Sequence, residues 1–315
     1  MLSYEQQTQS GVARPVLVRP VWPSARVNEG NPPRHTSNIR LTVSILRSEN
    51  RLSMYPSKHI TLAGRETTLL GLSDDDPYFS SIFDGFEQGF HTLLVDHLSP
   101  YAVALDVGAN TGVTSLILSR YLSDGRVFAF EPSPTVFKNL ETNLSNNEAL
   151  NVTPIRQAVG SGQGPLEFVD MSANGHIVQP ESMEDTANIV AVDVITLDQF
   201  VKDNSIDRIH FLEIDPEGFE HDVFLGMTGI EEVFRPLVYF EFNSWCLIAF
   251  NNENPRDFLN HIHSRFSAVF YFDEAGSPLR LTKHNTMDFL HRNLVYHGCV
   301  DNLLATNDPA RFGLD

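Results

Sequence analysis

Leu105-Asp106-Val107-Gly108-Ala109-Asn110-Thr111-Gly112 continues an apolar stretch that starts at Val103, and a second apolar run, residues 126–130, leads into Glu131. Strand, glycine-bearing turn, helix and second strand ending on an acid make up a dinucleotide-type unit. Its glycines let a ligand approach backbone, and the acid about 20 residues on takes the ribose hydroxyls. A nucleoside-bearing cofactor is therefore expected. A pyrophosphate binder needs G-x-G-x-x-G, with the phosphate on the helix N-terminus. Here Asn110 holds the second glycine position and Val113 the third. Asp106 would add a carboxylate near the positive end of the helix and repel a pyrophosphate. A cationic ligand fits Gly108, Asn110 and Gly112 better.

Whole-chain properties bound the alternatives. The 315 residues suffice for one large α/β domain with additions. A formal net charge of −18 opposes attraction to nucleic acid and leaves small molecules, sugars or a basic protein as partners. Cys246 and Cys299 make no zinc-ligand spacing or disulfide framework, and no run reaches membrane-spanning length. A cytoplasmic protein with no membrane span is expected. Its oligomeric state is not readable.

Residues 1–38 collect Pro15, Pro20, Pro23, Pro32 and Pro33 among arginines and read as a flexible tail. Residues 39–73, with β-like runs at 41–45 and 59–62, read as a small strand-rich lead-in, and 74–315 as the cofactor-binding domain. Asp76 and Pro77 suit a helix start, and Phe79, Ile82, Phe83, Phe86 and Phe90 recur at helical spacing as far as about Leu98. From Val103 on, strands at 103–107, 126–130, 152–155, 209–214 and 237–242 alternate with helices at 112–122, 134–146, 196–203 and 219–234. Residues 266–272 and 279–281 form a hairpin around a turn at 273–277. This pattern predicts a mostly parallel sheet with helices on both faces and an antiparallel hairpin at its end.

Ligands of such sheets bind at the carboxyl ends of the strands. The residues expected there are Asp106, Gly108, Asn110 and Gly112 after the first strand, Glu131 after the second, Gln157 and Ala158 after the third, and Phe211-Leu-Glu-Ile-Asp-Pro-Glu-Gly-Phe-Glu220 around the fourth. Asp215 and Glu217 lie in that last turn. Glu220 falls in the first helical turn, where the dipole favours an acid without any function.

Four segments in order, DVGANTG at 106–112, EPSPTVFKNLETN at 131–143, VDVITLDQF at 192–200 and EIDPEGFEHDVFLGM at 213–227, resemble the FkbM-like methyltransferases, and His297-Gly-Cys-Val-Asp-Asn-Leu-Leu304 is similar to that family's end. The resemblance implies a Rossmann-like class I methyltransferase fold with a seven-stranded sheet, S-adenosyl-L-methionine as cofactor, and O-methylation of a sugar, glycan or natural-product hydroxyl. S-adenosylmethionine, with a sulfonium, an amino group and no phosphate, agrees with the cationic ligand inferred from the turn. The chain departs from the family's usual K-I-D-V-E-G by placing Glu213 and Pro216 where lysine and valine stand.

Methyl transfer is an in-line displacement that depends mainly on positioning, helped by a base within hydrogen-bond reach of the hydroxyl. Asp215, Glu217, His221 and Glu241 are the candidates for that catalytic role, Glu217 foremost, with Asp215 nearer both cofactor and substrate. Asp215, Glu217 and Glu241 together are also of the kind that holds magnesium or calcium, but no metal ligand set is assigned. An NAD-dependent dehydrogenase and a noncatalytic nucleoside-cofactor-binding protein are the competing classes; the missing glycines oppose the first and the acids at 215 and 217 the second.

Overall fold

The computed structural model describes residues 55–73, 75–171, 175–178 and 188–314. The expected tail at 1–38 and the β-like run at 41–45 lie outside these residues. The lead-in contributes a two-stranded hairpin, β1 (Ser57–Leu62) and β2 (Arg65–Leu70), joined through Ala63 and Gly64 at φ 46° and 73°. Two left-handed residues in succession give the turn whose twist matches the strands.

The helix expected from Asp76 to about Leu98 is broken into α1 (Pro77–Ser81) and α2 (Gln88–His97). Asp76 caps α1 as expected, accepting from the amides of Tyr78 at 3.0 Å and Phe79 at 3.3 Å. The chain leaves the helix at Ile82 and re-enters through Gly85 and Glu87, both at positive φ. Contacts with β1 explain the break. Lys58 donates to the carbonyls of Ser80 and Ile82 at 2.9 and 2.8 Å, ending α1, while Asp84 accepts from the amide of Thr61 at 2.7 Å. Phe79, Ile82 and Phe90 still reach the core, but Phe83 is left 61 % exposed.

The main body then runs β3 (Val103–Val107), α3 (Val113–Tyr121), β4 (Arg126–Phe130), α4 (Pro134–Asn146), β5 (Val152–Ile155), β6 (Ala158–Val159), β7 (Gly164–Val169), β8 (His176–Ile177), β9 (Ile189–Ile195) and α5 (Leu197–Asp203). It continues through β10 (Phe211–Ile214), α6 (Glu220–Leu225), α7 (Thr228–Phe234), β11 (Leu237–Asn243), α8 (Ser244–Ala249), α9 (Pro255–Arg265), β12 (Ala268–Phe272), β13 (Pro278–Leu281), α10 (Thr286–Val295) and β14 (Val300–Thr306). Eight strands form one sheet in the order β13-β12-β14-β11-β10-β3-β4-β5. The five from β11 to β5 are parallel; β14, β12 and β13 are antiparallel. Five parallel strands and the hairpin make up the seven strands expected, and β14 is the eighth. Residues 297–304 supply most of β14, which enters between β11 and β12. A second sheet, β6-β9-β7-β8, has no counterpart among the expected strands.

Alternation along the strands divides the core. Val103, Leu105 and Val107 face one apolar layer with Leu212, Ile214, Val238 and Phe240, while Ala104, Phe211, Leu237 and Tyr239 face the other with α2 and α3. Asp106, Glu213 and Glu241 share this second face. The helix expected over 219–234 is interrupted at Gly226 and Met227. A Cβ on Gly226 would lie 2.1 Å from the carbonyl oxygen of Gly160, so the chain there is pressed against backbone. Asp198 of α5 then starts α7 by accepting from the amides of Gly229 at 2.8 Å and Ile230 at 2.9 Å. Among the described residues no helix is long and apolar enough to cross a membrane.

Candidate active site

A cleft opens over the carboxyl ends of β3, β4 and β10. Gly108 sets its floor. Its φ is 93°, and a Cβ there would lie 2.0 Å from the carbonyl oxygen of Asp215, so only glycine lets the two strand ends meet. The amides of Gly108 and Ala109 donate to the carbonyl of Phe130 at 3.1 and 2.9 Å, tying the turn to β4.

Glu131 fixes the turn from the other side. Its Oε2 accepts from the amide of Asn110 at 3.0 Å and its Oε1 from the amide of Ser133 at 2.8 Å. Ser133 is itself the cap of α4, accepting from the amides of Thr135 and Val136. Glu131 thus lines the cleft with both oxygens already oriented. Burial pushes its carboxyl up to about 7, against the lowering effect of the two amides.

Beneath the turn, Asp106 on β3 pairs in register with Glu213 on β10. Both are buried. Asp106 accepts from the hydroxyls of Thr114 and Ser115. Burial, then repulsion from Asp106 and Asp215, raises Glu213 well above the ordinary carboxylate range, and burial raises Asp106 as well. At the position where the family places lysine, this chain therefore has a second buried acid beside Asp106.

Asp215 and Glu217 stand in the cleft wall, with Pro216 between them. Glu217 has a left-handed φ of 51°, which turns its side chain toward Cys246, whose thiol donates to Oε2 at 3.3 Å. Burial first, and the charge of Asp215 second, raise Glu217 above the ordinary carboxylate range; burial also raises Asp215.

Of the residues expected at the site, Gly108, Asn110, Glu131, Gln157, Ala158, Asp215 and Glu217 line the cleft. Asp106 lies under its floor. Gly112, at φ 96°, opens α3 and abuts Leu140 outside the wall. Glu241 lies behind Asp215. His221 is not brought into the cleft: it pairs with Glu253, which raises its pKa, and its ring lies 4.5 Å from that of His261.

Several lining residues carry no sequence signal for a site. Tyr78 comes from α1, and Phe168, Met171, Gly175 and Ile177 from the second sheet and its loops. Only the alternation Ile189-Val-Ala-Val-Asp-Val-Ile195 hinted at that sheet. Among the described lining residues none is basic, whereas Glu131, Glu213, Asp215 and Glu217 are carboxylates. Such a wall suits a ligand bearing positive charge and repels a pyrophosphate.

Parallel strands β5, β4, β3, β10 and β11 continued by antiparallel β14 and β12, with the ligand cleft at the glycine turn, define a class I methyltransferase fold. Residues 106–266, just over half of the chain, match the methyltransferase FkbM domain, and the chain belongs to that family. The matched segment, which holds the glycine turn, Glu131 and the acids at 213–217, is a methyltransferase domain, and the cofactor of such a domain is S-adenosylmethionine. The hexuronic acid methyltransferase AglP of Haloferax volcanii is 32 % identical over 146 residues, which cover 45 % of this chain and 57 % of AglP. Methyltransferase sdnD of Sordaria araneosa is 26 % identical over 178 residues, 47 % of this chain and 68 % of sdnD. The crystal structure of the FkbM methyltransferase from Methylobacillus flagellatus superposes with a TM-score of 0.42 at 15 % identity, covering 66 % of this chain and 44 % of that one.

Proposed function

We propose that this protein transfers a methyl group to an oxygen of a sugar, glycan or natural product, with Glu217 as the base. The observation that carries this is the cleft wall: four acidic side chains and, among the described residues, no basic one. When bound, S-adenosylmethionine supplies a methyl group on a positively charged sulfur. Glu131 holds the ribose, because each of its oxygens accepts one amide and keeps a lone pair for a hydroxyl. Gln157 and Ala158 border the adenine, beside the apolar side chains of Phe130 and Phe168. The carboxylate of Asp215 faces the amino end of the donor, and Asp106 supports the turn from below. Neither Gly112 nor His221 is given a ligand contact in this reading.

With the donor bound, Glu217 would accept the proton of the acceptor hydroxyl as that oxygen takes up the methyl group. Its environment suits this role, since a carboxyl raised toward the working pH is a better base than an ordinary one. AglP, named for a hexuronic acid, is the relative that favours a sugar acceptor.

The test compares wild type with Glu217→Gln, using a methyl-labelled donor and a panel of sugars, glycans and small hydroxylated metabolites. The expected result is label on an acceptor oxygen with wild type, and a turnover at least 100-fold lower in the variant at unchanged affinity for S-adenosylhomocysteine, in line with the usual weight of a general base. Undiminished turnover in Glu217→Gln would remove the base, and label on nitrogen or carbon would remove O-methylation.

A further inference from the structure

The acids of the cleft continue behind its wall. Ile214 on β10 pairs with Phe240 on β11, so the next step along both parallel strands sets Asp215 beside Glu241. Glu220, the first residue of α6, closes the third side. One carboxylate oxygen from each of Asp215, Glu220 and Glu241 lies within 4.8 Å of the other two.

Glu220 is 0 % exposed. Its Oε1 accepts from the amide of Gly218 at 3.0 Å, which fixes the side chain, while its Oε2 is buried with no hydrogen-bond partner. Asp215 Oδ1 and Glu241 Oε2 are buried and unpartnered as well. Buried acceptors without donors are rare because each forfeits its hydration, and one on each of three clustered acids points to a shared positive partner. The surrounding charges make that need greater: Glu241 is repelled by Asp215, Glu217 and Glu220, and Glu220 by Asp215 and Glu253.

We propose that Asp215, Glu220 and Glu241 form a binding site for a hard divalent cation at the inner end of the cleft. An all-oxygen donor set selects magnesium, calcium or manganese over softer metals. Two oxygens on one ion can be separated by at most twice the metal–oxygen distance, about 5 Å for calcium and about 4 Å for magnesium. The observed span accepts calcium as it stands and the smaller ions after slight side-chain rotation. Because Asp215 also faces the cleft, the open side of the ion is directed at the acceptor, whose oxygens would complete the shell. Only this last role rests on the proposed methyl transfer; the site itself does not.

Protein freed of metal with EDTA and dialysed is titrated with Mn2+ by electron paramagnetic resonance and calorimetry, with Mg2+ and Ca2+ as competitors. S-adenosylhomocysteine affinity is measured on the same samples. The expected result is one saturable Mn2+ per chain, displaced by Mg2+ or Ca2+, with affinity at least tenfold lower in Glu220→Gln and in Glu241→Gln, both of which still bind S-adenosylhomocysteine and so are folded. No binding to wild type at millimolar ion, or undiminished binding in both variants, overturns the site and leaves a protonated acid cluster. Failure of wild type to bind S-adenosylhomocysteine counts against the methyl-donor reading, while the metal titration still decides the site.

Discussion

Glu220→Gln should stabilise the metal-free protein, and far more at alkaline than at acidic pH. Burial pushes the Glu220 carboxyl from 4.5 up to about 8. A carboxyl raised in the folded state contributes stability that is complete below its unfolded pKa and is withdrawn as pH rises through the folded value. The window is therefore pH 4.5 to 8. At about 1.36 kcal/mol per unit, less the fraction still protonated, the stability withheld at pH 8 is about 4 kcal/mol. Glutamine keeps the shape of the side chain: its oxygen can still accept from Gly218, and its new amide can donate to Asp215 and Glu241, whose facing oxygens have no partner. In EDTA, thermal unfolding should show a gain on the order of 10 °C at pH 8 and little at pH 5, given about 2–4 °C per kcal/mol for a domain of this size. Equal increments at the two pH values, or a loss at pH 8, would refute the reasoning from buried charge.

Other consequences follow from the same geometry. Gly108→Ala drives a Cβ into the carbonyl of Asp215 and should abolish S-adenosylhomocysteine binding in calorimetry, with a lowered melting temperature. Arg265 donates to Glu231 through Nε at 2.8 Å, and both side chains are largely buried. Arg265→Leu leaves that carboxylate unpaired and should cost about 3–5 kcal/mol in urea unfolding at pH 8. Asp198→Ala removes the cap of α7 and should cost about 1 kcal/mol in the same assay. With Glu131 raised to about 7, donor affinity in wild type should increase between pH 6 and pH 8 as the ribose acceptor ionises, a trend that isothermal titration across pH would reveal.

The strand, turn and helix around Gly108 were legible because their determinants are local: an apolar run, glycines at fixed offsets and an acid at the end of the next strand. The same holds for the cap at Asp76 and for the hairpin at β12 and β13. What escaped depends on contacts between distant segments. The break at Ile82 is imposed by Lys58 and Asp84 across the hairpin, and the break at Gly226 by the backbone of Gly160. β14 was recognised only as a family-like ending, since its place between β11 and β12 is set by pairing rather than pattern. Tyr78 and Phe168 reach the cleft from elements whose own sequences say nothing of a ligand. Glu220 read as an ordinary first-turn acid, and its significance appears only when α6 brings it against Asp215 and Glu241. Glu213 was visible as a departure from the family pattern, but its place beside Asp106 required the register of β3 and β10.

A cationic nucleoside donor held by Glu131 in an acid-lined cleft is the central claim. Calorimetric titration of wild type and Glu131→Gln with S-adenosylhomocysteine, S-adenosylmethionine and NAD tests it most directly. The predicted result is one-site binding of both sulfur nucleosides to wild type, binding at least tenfold weaker in the variant for the loss of charge-assisted hydrogen bonds, and no heat from NAD. Binding of NAD, equal affinity in the two proteins, or silence from wild type at millimolar S-adenosylhomocysteine would contradict it.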